Sequence, residues 1–217
     1  MPHRENVIIN GVKAPSVNEV TDLIPKPWLK EWRKKVGEDV ADNIRDTAAK
    51  FGSAVHYSLE SYLKGNVAGI NPDHMSFVAS LKKYLGDNKI KTKPEWTEPM
   101  WDSNKFCYHG SIDFLGERDG ELGVLDHKIK GDKPLDYKTA LNMTAYCALT
   151  HENLGIMPSW FAVLFYDKET GNIVRDDERK PLSVWWNDFL ALRKMYDLNT
   201  NEIWNRAERF DRLGKLL

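Results

Sequence analysis

A chain of 217 residues, 41% of them hydrophobic, is long enough to bury a sizeable core and fits one domain over 1–217. Its 31 basic and 32 acidic residues leave a net charge of −1, which excludes a polycation and makes any nucleic-acid surface local. Cys107 and Cys147 lie far apart in no metal-binding spacing, which excludes a four-cysteine zinc or iron–sulfur site and suggests a reducing compartment. The elements come in this order. Val17, Val20, Leu23 and Ile24 recur at helical spacing until Pro25 and Pro27 stop them. Trp28, Leu29 and Trp32 give a short amphipathic helix ending near Gly37, and a longer helix covers Val40 to Leu63. Asn71-Pro72-Asp73 starts another helix, with Phe77, Val78, Leu81, Tyr84 and Leu85 on one face. Glu95 to Met100, Lys105 to Leu115 and Gly123 to Ile129 read as strands. Asp136 to Leu154 returns to a helical period, and Trp160 to Tyr166 suits a strand buried on both faces. A short strand from Ile173 to Arg175 and a tryptophan-rich helix from Pro181 to about Asn205 complete the chain. The order predicts an α/β protein: a central mixed sheet flanked by helices, behind a helical N-terminal region. Residues 1–90 are its mainly helical part, 91–180 the sheet core and 181–217 the C-terminal helix.

The most informative stretch is GSIDFLGERDGELGVLDHKIK, Gly110 to Lys130. Asp119-Gly120 between two apolar runs is a strong hairpin signal. Residues i and i+2 of a strand share a face, so Asp126 and Lys128 emerge side by side while His127 points away. Across the hairpin, Asp113 lies opposite that pair. A hard divalent cation needs one or two carboxylates plus substrate phosphate, and Asp113 and Asp126 provide them. The backbone carbonyl of His127 is a natural third oxygen. An ammonium at Lys128 would neutralise charge developing on a phosphate. Upstream, His56 and Glu60 stand one turn apart on a helix and share a face. Gly52, inside the same helical pattern, costs about 1 kcal/mol relative to alanine and predicts close approach of another element.

These pieces together resemble a known family. GSAVHYSLESYL, around His56, resembles the Gly-x-x-x-His helix of the RecB-like branch of the PD-(D/E)xK nuclease superfamily. GSID resembles its Gly-x-x-Asp strand, VLDHK its (Asp/Glu)-x-Lys strand, and Asn142 to Tyr146 its Gln-x-x-x-Tyr helix. The opening PSVNEVTDLIPKPWLKEW is similar to the N-terminal segment of phage and bacterial members. The resemblance implies a restriction-endonuclease-like core, magnesium or manganese dependence, and exonucleolytic hydrolysis of DNA in processing, recombination or repair. Carried over by position, it makes His56, Asp113 and Asp126 metal ligands and Lys128 the catalytic lysine. Tyr146 becomes a DNA-contacting or supporting residue, and Glu60 a base that orients His56. Asn142 stands where the family has Gln, one methylene longer. The cluster cysteines of some relatives are missing, so no iron–sulfur cluster is expected.

Two other readings stay open: a DNA-binding module that has lost catalysis, and a subunit of a recombination or CRISPR-adaptation complex. A recombination-protein partner or a homo-oligomer fits either. Lys30, Arg33, Lys34 and Lys35 near Trp28 and Trp32 are either phosphate contacts or a solvated face. Met1 to Asn10 carries charges without an apolar core, and no apolar run reaches bilayer length, so a soluble, cytoplasmic protein with no membrane partner is expected.

Overall fold

The computed structural model describes Arg4 and residues 6–200. The chain opens with a small hairpin that periodicity did not reveal, β1 (Ile8–Ile9) and β2 (Val12–Lys13), turning through Asn10-Gly11 with both residues at positive φ. Helix α1 (Val17–Thr21) is shorter than its apolar period and starts with a capping box in which Ser16 and Glu19 bond each other's backbone N–H. Helix α2 (Pro27–Val36) buries no residue. Helix α3 (Glu38–Leu63) runs 26 residues, and of its stretch from Glu38 to Ala54 only Ala41 is buried. Arg33 of α2 holds the two helices together through Glu38 and Asp42. Helix α4 (Met75–Asp87) buries the predicted face of Phe77, Val78, Leu81, Tyr84 and Leu85.

Four strands form the central sheet in the order β5-β6-β7-β8: β5 (Phe114–Arg118), β6 (Glu121–Ile129), β7 (Trp160–Tyr166) and β8 (Ile173–Arg179). The β5–β6 hairpin turns at Asp119-Gly120, as the Asp-Gly pair predicts, with both residues at positive φ. Helix α5 (Tyr137–Leu154) carries the chain across to β7, which pairs parallel to β6, and β8 returns antiparallel. All seven residues of β7 are buried. Phe161, Val163 and Phe165 pack with Val17, Met143, Leu149 and Phe189 on one face. Ala162, Leu164 and Tyr166 pack with Val55, Leu59, Leu81 and Leu85 on the other. The sheet is therefore mixed and flanked by helices on both faces, with a mainly helical N-terminal part.

Two strand expectations are corrected. Residues 94–96 form a 3₁₀ turn, and the strand begins later, as β3 (Met100–Ser103). The expected single strand over 105–115 breaks at Ile112-Asp113 into β4 (Tyr108–Ser111) and β5. β4 pairs with β3 in a separate two-stranded sheet, so the break lets one apolar run serve two sheets. Helix α6 (Ser183–Asn199) follows the expected period, and residues 201–217 of the expected C-terminal helix lie outside the described residues. No helix among the described residues is long and apolar enough to cross a membrane.

Candidate active site

The break between β4 and β5 places Asp113. It lies one step beyond the last hairpin pair, Phe114–Leu125, which brings it level with Asp126 of β6. Its Oδ2 accepts the backbone N–H of His127 at 2.7 Å. Asp126 and Lys128 leave β6 on one face, with Lys128 Nζ 2.6 Å from Asp126 Oδ2. His127 goes to the opposite face, stacked on Phe114 and bonded through Nδ1 to the Tyr166 hydroxyl at 3.2 Å. A strand residue's N–H and C=O leave on the same edge, so the His127 carbonyl faces the Asp113 side. From α3, His56 reaches in until its Nδ1 stands 3.4 Å from Asp113 Oδ2. A cavity of about 150 Å³ opens over these groups, lined also by Asn18, Ser111, Asn142 and Tyr146. His56, Asp113, Asp126 and Lys128, distant in sequence, thus share one cavity.

Electrostatics couples them. Burial alone would raise the Asp113 carboxyl, but His56, with help from Lys128, outweighs it and holds the group below its ordinary range. Asp126 goes the other way: burial and the Asp113 charge raise it against the pull of Lys128. Burial opposes charge on His56 and Lys128, yet Asp113 holds His56 above its ordinary value, and Asp126 with Asp113 does the same for Lys128. Burial pushes His127 down to about 3, so its ring is a neutral packing group. The site therefore carries two acids at different settings beside one ammonium.

Glu98 joins them unannounced. It follows the 3₁₀ turn at φ +54°, uncommon for a residue with a side chain, and its N–H donates to the Asp113 carbonyl at 2.9 Å. Its Oε2 accepts from Ser111 Oγ at 2.8 Å. Burial and the Asp113 charge raise its carboxyl to about 7. One ligand atom each from His56, Glu98 and Asp113 lie within 4.8 Å of one another. An imidazole and two carboxylates from three separate elements fit a divalent cation of the manganese or magnesium type. No spacing pattern marked Glu98, which fell inside the strand expected over Glu95 to Met100.

The remaining expected residues divide. Tyr146 is buried on α5, where burial and the charges of Asp126, Asp113 and Glu98 raise its phenol. Asn142 lines the cavity with both ends of its amide engaged by α1: Nδ2 donates to Asn18 at 2.9 Å, and Oδ1 accepts from Thr21 at 2.7 Å. The shorter side chain is thereby a tie between α5 and α1. Glu60 does not bond His56; it pairs with Lys64 at 2.6 Å. Gly110 is needed where it stands, because a Cβ there would meet Tyr146 at 2.9 Å and Leu149 at 3.0 Å. Gly52 is a correction: among the described residues nothing lies within 4 Å of where its Cβ would be, so no described element approaches it. Gly52→Ala is accordingly expected to stabilise the protein by about 0.5–1 kcal/mol through helix propensity. Thermal unfolding checks this, and a lowered Tm would refute the open space. On α2, Lys30, Lys34, Lys35 and Trp28 are exposed, whereas Arg33 is paired with Glu38 and Asp42.

No protein-family model matches the chain, and no curated protein matches it either. Among solved structures it is similar to an alkaline exonuclease from Laribacter hongkongensis, with 12% identity and a TM-score of 0.44 over 64% of this chain and 71% of that one. A putative exonuclease from Eubacterium rectale gives 14% identity and a TM-score of 0.45 over 73% and 68%. The crystal structure of SSO0001 gives 16% identity and a TM-score of 0.42 over 89% and 76%.

Proposed function

We propose that the protein is a metal-dependent deoxyribonuclease of the RecB-like type that degrades DNA from its ends. One observation carries this reading: two carboxylates, a lysine and a histidine from three elements converge on one small cavity. Asp113, Asp126, His56 and the His127 carbonyl would hold a magnesium or manganese ion. When bound, such an ion supplies Lewis-acid stabilisation of phosphate charge and acidifies the attacking water. The chain's own groups do the rest. Lys128 faces the scissile phosphate and neutralises the charge that grows on its oxygens. Asp126 keeps that ammonium in place, and the buried His127 N–H fixes the Asp113 carboxylate. Water adds to phosphorus as one P–O ester bond breaks, giving a phosphate monoester and a free hydroxyl. The four sequence motifs, in order along the chain, support the choice of DNA and of the exonuclease branch.

The test is digestion of end-labelled single- and double-stranded DNA with magnesium, with manganese and with excess chelator. Metal-dependent release of short products from the ends is the expected result, abolished by chelator. Release of internal fragments would replace the exonuclease reading by an endonuclease one. DNA that is bound but intact under every metal condition would overturn catalysis and leave a binding module.

A further inference from the structure

We propose that Glu98 is a ligand of the divalent cation, acting with His56 and Asp113; this rests on the nuclease reading above. The charge environment of the Glu98 carboxylate carries the argument. It sits in a loop yet turns inward, only partly exposed, with one hydrogen bond from a neutral hydroxyl, Ser111. Among the described residues no lysine or arginine forms an ion pair with it. Its charged neighbours include two further acids, Asp113 and Glu60. Carboxylates gathered away from water repel one another unless a cation lies between them. Glu60 has its own cation in Lys64, and Asp126 has Lys128. Glu98 and Asp113 share the imidazole of His56, and Lys128 also acts on Asp113.

The spacing fits an ion at that position. Around an octahedral ion with bonds of about 2.1 Å, neighbouring ligands stand about 3 Å apart and opposite ones about 4.2 Å. His56 Nδ1 and Asp113 Oδ2 are 3.4 Å apart, and the donor atoms of all three residues fall within 4.8 Å. Small side-chain adjustments suffice, because the backbone is already tied: Glu98 N–H bonds the Asp113 carbonyl, and Ser111 sets the carboxylate. An imidazole among the ligands favours manganese over magnesium, which prefers oxygen alone. Asp126 lies outside this three-residue group, close to its lysine. The acid nearest the catalytic ammonium thus differs from the acid that completes the His56 side of the ion.

The experiment is calorimetric titration of manganese into the full chain after chelator treatment and dialysis, with DNA cleavage by the unsubstituted protein measured in parallel. Glu98→Gln keeps size and the bond from Ser111 while removing charge; Glu98→Ala removes both. Each is expected to bind manganese at least tenfold more weakly, with a manganese-induced rise in Tm reduced in step and no loss of Tm in metal-free buffer. Manganese affinity within twofold of the unsubstituted protein in either variant overturns the role of Glu98. If the unsubstituted protein still cleaves DNA in that case, the nuclease reading survives it. Weakened binding in both variants with no cleavage by the unsubstituted protein supports the ligand and overturns the nuclease. An unsubstituted protein that neither binds manganese nor cleaves DNA overturns both.

Discussion

Replacing Lys128 by methionine is expected to slow DNA cleavage by about 10²–10³-fold while the protein stays folded. Methionine keeps the apolar stem and removes the ammonium, so packing along β6 changes little. The charge loss acts twice. Nothing then neutralises the phosphate oxygens as the ester bond breaks. Asp126, which burial and Asp113 already raise, also loses the group that holds it down and is raised further. Lys128→Arg should fall between the two, since a planar guanidinium restores charge without the compact point geometry of an ammonium. Single-turnover cleavage of labelled DNA, with thermal unfolding in parallel, measures both effects. A methionine variant that keeps more than half the rate would remove Lys128 from the chemistry.

The largest expected effect on stability lies at Arg193. This residue of α6 is 3% exposed, donates through Nε to the Cys107 carbonyl at 2.9 Å, and forms an ion pair one turn along with the buried Asp197. It pins α6 to the β3–β4 turn, on the side of the sheet that carries α5. Arg193→Ala takes the guanidinium from a buried carboxylate and from a backbone acceptor together, and should cost about 3–5 kcal/mol. For a protein of this size that corresponds to a Tm lowered by roughly 6–20 °C. Replacing both partners by apolar residues, as in Arg193→Met with Asp197→Leu, should recover most of the loss, because no charge is then left buried. Thermal unfolding of the two variants decides it. A single variant within a degree of the unsubstituted protein would show that the pair contributes nothing.

Local pattern was legible wherever one signal dominated. The continuous apolar run of β7, the Asp-Gly turn of the β5–β6 hairpin and the period of two at Asp126, His127 and Lys128 are each a local signal, and all three are found. The meeting of His56 with Asp113 needed more than period, since it joins a helix to a strand break. Ordered motifs supplied that link. Glu98 was hidden because its direction is set by a left-handed backbone and by bonds to Asp113 and Ser111, none of which has a sequence period. The division of residues 105–115 was hidden for a related reason: an apolar run records burial, not which of two sheets buries it. Gly52 shows the converse error. A glycine in a helix was read as room for a neighbour, and the room is there without any neighbour among the described residues.

Helix α3 has a consequence for how this protein breathes. Its first turns, with α2 alongside, contribute almost nothing to either apolar cluster, whereas Val55 and Leu59 are fully buried on either side of His56. Segments with few buried contacts open at low free energy, and those inside a core open only with the whole molecule. Amide exchange along this one helix should therefore pass from fast at Glu38 to fully protected near Leu59. The histidine sits on the slow side of that gradient, so the outer turns can fray or bend without unseating it.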